Sequence, residues 1–110
     1  MEQKTTSPGS LLTDTSNSQP TAPAWTFLTN HTHVIVCLSR DPAMTVRKLA
    51  LQVGITDRSV QRILADLEAA GVVTRLKKGR CNRYALNFDF QLRHPLESQH
   101  TLGDLLEAVR

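Results

Sequence analysis

The sequence predicts a mainly α-helical domain with a small β-hairpin: a three-helix core, the hairpin, and an additional C-terminal helix. Three observations carry this expectation. Between Leu28 and Leu67, apolar residues recur three and four apart in three successive segments, the spacing of one helix face. After Gly71 the period drops to two, the spacing of a strand. From Leu102 to Val109 the helical spacing returns.

Residues 1–24 hold nine Ser or Thr and three Pro, and after Met1 their only large apolar residues are Leu11 and Leu12. Such a segment cannot bury enough surface to offset the entropy of ordering it, so a disordered tail is expected. The composition changes at Trp25. The first helix carries Leu28, His31, Val34, Ile35 and Leu38 on one face. It ends at Asp41-Pro42, because a residue before proline avoids the α region. Thr45 is placed to cap a second helix with Val46, Leu49, Ala50 and Val53 inward, and Gly54 stops it as a left-handed residue. Thr56 caps a third helix from Asp57 to about Ala70, facing the core with Val60, Ile63, Leu64 and Leu67, and Gly71 ends it. Val72, Thr74 and Leu76 then alternate with Val73 and Arg75. Residues 77–82 read as a polar turn, and Arg83–Leu86 resume extended character, a hairpin with a basic tip. Residues 87–100 read as irregular, and Thr101 caps the last helix. The expected organisation is a tail over 1–24, a domain over 25–88, and a linker with a terminal helix over 89–110.

A chain of 110 residues and 12.2 kDa has the length of one domain. No apolar run approaches the roughly 18 residues a membrane span requires. No signal-peptide pattern opens the chain, and two cysteines, Cys37 and Cys81, cannot build a disulfide scaffold. A cytoplasmic, reducing location is expected. No Ser/His/Asp or Cys/His arrangement has support beyond composition, no glycine-rich phosphate loop is present, and the carboxylates are scattered. The chain reads as a non-enzyme with no cofactor and no metal.

From Val46 to Leu67 each position has a steric reason to form a helix-turn-helix. Ala50 is small where the helices cross, Gly54 supplies the turn, Ile55 plugs the corner, and Val60 and Ile63 pack the second helix back on the first. With the basic hairpin that follows, TVRKLALQVGITDRSVQRILADLEAAGVVTRLKKGRCNRYAL resembles the winged helix-turn-helix of MarR/ArsR-type bacterial transcriptional regulators. The phrase LADLEAAGVVTR followed by a basic turn and Tyr84 is typical of them. The resemblance spans roughly residues 27–88. The flanking TFLTNHTHV and LRHPLESQHTLGDLL resemble small stand-alone members of that kind. The chain lacks the long terminal helices of full MarR dimers, so their dimer and ligand pocket do not carry over intact. The resemblance implies a DNA-binding domain over 25–88, with a recognition helix at 57–70 and a wing at 77–83.

Charge agrees independently. Between Arg47 and Arg83 stand nine basic residues against Asp57, Asp66 and Glu68, a net of +6, while the rest of the chain nets −3. That segregation is the footprint of a phosphate-binding face. With the core side of the third helix assigned, Arg58, Gln61 and Arg62 face outward, with Asp57 and Ser59 near its start. Arg pairs bidentately with guanine and Gln with adenine. Thr45, Thr56 and Ser59 can bond phosphates through their hydroxyls, joined by Arg47 and Lys48 on the second helix and by Lys77, Lys78, Arg80 and Arg83 on the wing. Asp57 could cap the helix, read a cytosine amino group or restrain a neighbouring Arg. If the face is simply solvated, Asp66 or Glu68 would partner Arg58 and Arg62.

Other signals are weaker. His33 and Cys37 are four apart, and His94 and His100 follow, but two ligands at that spacing are common by chance. His31 falls on the apolar face and reads as a hydrogen-bonded core histidine, and His33 as a surface residue. Cys81 sits beside Arg80 and Arg83, where cations lower a thiol pKa; a free surface thiol is the plainer reading. The stripe Leu102, Leu105, Leu106 and Val109 must bury against its own domain or against a second chain, and pairing in a homodimer is expected. The sequence thus reads as a sequence-specific double-stranded DNA-binding transcriptional regulator. The alternatives are a winged-helix protein-interaction module and a redox- or metal-responsive sensor built on the same domain.

Overall fold

Thr29 begins the first helix because its hydroxyl, in an extended residue, accepts the Thr32 backbone N–H at 3.4 Å. The computed structural model describes residues 25–109; the tail expected over 1–24 lies outside the described residues. Helix α1 spans Asn30–Arg40 and ends at Asp41, whose carboxylate accepts the Ala43 N–H across Pro42. Leu28 therefore precedes the helix rather than opening its face. Trp25 and Phe27 stay exposed, stacked edge-to-face at 4.9 Å.

Helix α2 (Val46–Val53) and helix α3 (Asp57–Ala69) start the same way. Thr45 accepts Lys48 N–H at 3.1 Å, and Thr56 accepts Ser59 N–H at 3.0 Å. Gly54, at φ 85°, sends both its own N–H and that of Ile55 to the Ala50 carbonyl. This is the tight reversal that a residue with a Cβ resists. Val34, Leu38, Leu49 and Val60 are fully buried where the three helices meet.

Strands β1 (Val73–Lys78) and β2 (Cys81–Leu86) pair antiparallel, from Val73 opposite Leu86 to Lys78 opposite Cys81. The loop is only Gly79-Arg80, with Gly79 at φ 62° in its first position. The six-residue turn expected over 77–82 is therefore two residues long. Past Leu76 the ribbon is exposed, so backbone pairing continues there without the apolar alternation that marks a strand in sequence. Tyr84 is buried, and its N–H donates to the Pro42 carbonyl at 3.0 Å, which moors the hairpin to the α1–α2 loop.

Residues 87–101 are irregular but pinned. Leu92 N–H donates to His100 O, Leu102 N–H to Phe90 O, and Gly103 N–H to Phe88 O. A Cβ at Gly103 would stand 3.1 Å from that Phe88 oxygen, so the close approach needs glycine. Helix α4 (Leu102–Val109) opens on a reciprocal cap, Asp104 N–H to Thr101 Oγ1 and Thr101 N–H to the Asp104 carboxylate. It packs on α1. Leu102 and Leu106 are 3% and 1% exposed in the core of their own domain. Of the four residues expected at a dimer interface, Leu102 and Leu106 are thus covered by their own domain, which was the other possibility the stripe left open.

Candidate nucleic-acid interface

Helix α3 buries Val60, Ile63, Leu64 and Leu67. At about 100° per residue, Arg58 and Arg62 then project from the opposite side, and both are exposed. Gln61, also exposed, lies on one flank, in a cleft of about 310 Å³ shared with Val46, Asn82 and Tyr84. Asp66 lies on the other flank, 2.9 Å from His31 Nε2 on α1. His31 is thus hydrogen-bonded as expected but is not in the core, since nearly half its side chain is exposed. Its long ring reaches past the apolar face to a partner at the surface.

The first turn of α2 meets the first turn of α3 through Arg47 and Asp57, 3.6 Å apart. Arg47 and Lys48 are exposed. The Thr45 and Thr56 hydroxyl oxygens are occupied as helix caps, and the Thr56 O–H also donates to Ser59 Oγ at 3.0 Å. The two threonines thus serve to arrange the amides of their own helix starts, while Ser59 is exposed at the start of α3.

On the wing, Lys77, Arg80 and Arg83 are exposed, with Arg80 in the two-residue loop. Lys78 ends β1, and its side chain lies outside the described residues. Arg75 behaves differently from the other cations. It donates from Nε and Nη2 to the two oxygens of Glu68 at 3.1 and 3.2 Å, tying the end of α3 to the base of the wing. The hydrogen bonds and charge of Glu68 hold the Arg75 guanidinium above its ordinary pKa. Sequence counting sees Arg75 as one more cation; the seven-residue separation gives no local sign of the pair. Asp66 and Glu68 are thus engaged by His31 and Arg75. Among the described residues neither Arg58 nor Arg62 has an ion-pair partner.

The MarR family model matches residues 29–81. This segment is a winged helix similar to that of MarR-family proteins. It runs from the cap of α1 to the first residue of β2, so the helix-turn-helix, α3 and the wing tip fall inside the match, while Arg83, the linker and α4 fall beyond it. The match covers 53 of the 110 residues, and MarR-family proteins are DNA-binding transcriptional regulators. Comparison with curated proteins gives no match.

The remaining candidates are separated in space. Cys37 is buried in α1, which pushes its thiol pKa up, and Cys81 is exposed; both are free. His33 pairs with Asn30, His94 accepts the Leu96 N–H, and His100 stands 3.4 Å from Asp104. Among the described residues no three His, Cys, Asp or Glu side chains are grouped to hold a metal, and no helix is long and apolar enough to cross a membrane. Leu105 is half-buried at a crevice of about 630 Å³ beside Ile35 and Phe90, and Val109 is 36% exposed.

Proposed function

We propose that the chain is a sequence-specific, double-stranded DNA-binding transcriptional regulator that works as a homodimer. The observation that carries this reading is the outward side of α3, where Arg58 and Arg62 are exposed without a carboxylate partner among the described residues. The fold leaves them available to a ligand of opposite charge. In this reading residues 57–70 enter the major groove. Arg58 and Arg62 bond guanine O6 and N7, and Gln61 meets adenine at the groove edge. Arg47, Lys48, Ser59 and the amides at the starts of α2 and α3 hold phosphates. Lys77, Lys78, Arg80 and Arg83 follow the backbone or enter a narrow minor groove. A second copy covers Leu105, Val109 and the exposed Trp25–Phe27 pair, and two-fold symmetry would set half-sites about 34 Å apart.

The test is selection of bound duplexes from a random double-stranded library by the purified chain at near-physiological salt. An enriched inverted repeat supports both sequence reading and the dimer. Weak, salt-dependent binding to every duplex would leave a nonspecific DNA binder. No binding would overturn the reading in favour of a protein-interaction module, whose basic face would then meet an acidic partner.

A further inference from the structure

Asp57 is out of place on a surface that binds phosphates. Of the three carboxylates between Arg47 and Arg83, Asp66 is drawn to α1 by His31 and Glu68 to the wing base by Arg75. Asp57 alone remains in the first turn of α3, its side chain about half exposed, beside Arg58 and 3.6 Å from Arg47. The helix does not need it as a cap, because Thr56 already accepts the Ser59 N–H. A carboxylate there repels phosphate and is also repelled by base acceptors such as guanine O6 and thymine O4. It is accommodated where it meets a donor, and cytosine N4 offers one in the major groove.

We propose that Asp57 is a specificity-determining residue, accepting a hydrogen bond from a cytosine amino group and disfavouring every register in which it faces an acceptor. This rests on the DNA-binding reading above. In the free chain Arg47 neutralises Asp57. On DNA Arg47 turns to a phosphate and leaves the carboxylate to the base, so the penalty for a wrong register appears only in the complex.

The test compares wild type, Asp57→Asn and Arg47→Gln by duplex selection and by titration of the selected and a scrambled duplex. Asp57→Asn is expected to bind the scrambled duplex several-fold more tightly. Its cytosine preference at one position should fall roughly tenfold, the other positions being kept. Arg47→Gln is expected to weaken both duplexes alike and to keep the cytosine. An Asp57→Asn chain that retains wild-type preference at every position overturns the proposal while leaving the DNA-binding reading intact. A wild-type chain that selects no sequence overturns both. Should Asp57→Asn fail to fold by circular dichroism, Asp57→Ser, which also suits a helix start, takes its place.

Discussion

Arg62 and Arg80 are both exposed arginines in a basic stretch, yet their settings differ. Arg62 projects from a helix whose other side is locked in the core, so the point and direction from which its side chain leaves the backbone are fixed. Arg80 sits in a two-residue hairpin loop at the end of an exposed ribbon. Arg62→Ala is therefore expected to relax base preference at one position, by about 1–3 kcal/mol, whereas Arg80→Ala weakens all duplexes about equally. Titration of each variant against selected and scrambled duplexes separates the two, and equal behaviour would contradict the assignment. Which arginines face outward was legible from the positions of Val60, Ile63, Leu64 and Leu67. That Arg75 is bound to Glu68 was not, because the pair depends on how the wing folds back toward α3.

The elements are held by their ends as much as by their faces. Thr56 organises the first turn of α3 by accepting Ser59 N–H, so Thr56→Ala is expected to cost about 1 kcal/mol in urea unfolding and to weaken DNA binding by loosening the amides of that turn. Asp104 does the same for α4. The Thr101 backbone N–H, then His100, hold its carboxyl below the usual carboxylate range. A depressed folded-state pKa gives stability that is present above the unfolded value of about 3.9 and is lost as pH falls through the folded value. Denaturation curves below pH 5 should show the advantage of wild type over Asp104→Asn shrinking as the pH drops. Both caps were readable as a threonine ahead of an apolar period. The hairpin ends were not, since exposed strand residues such as Lys77 and Arg83 carry no burial signal.

At the scale of the molecule, α4 closes the core formed by α1, α2 and α3. Leu106→Ala is expected to remove about 2–5 kcal/mol of stability, read by chemical denaturation, because Leu106 is 1% exposed and packed with the core. Val109→Asp should leave the fold intact and shift the chain toward monomer. Light scattering at micromolar concentration checks this, with wild type expected at twice 12.2 kDa. A monomeric wild type would remove the homodimer from the proposal. If each subunit neutralises about six phosphates, the log–log salt slope of binding is about −5 per subunit. Paired Arg75 should contribute little to it, so Arg75→Gln should leave the slope close to that of wild type.

Helix faces, caps and the glycine reversals are local. They follow from side-chain spacing and backbone sterics within a few residues, so the sequence by itself determined the three-helix core, the hairpin and the outward arginines of α3. The long-range partners were decided only in three dimensions. His31 meets Asp66, Arg75 meets Glu68, Tyr84 moors to Pro42, and Leu102 and Leu106 turn inward. An apolar stripe states that it must be buried, and a charge states that it seeks an opposite one. Neither says against what, because that depends on how close the fold brings elements that are distant along the chain.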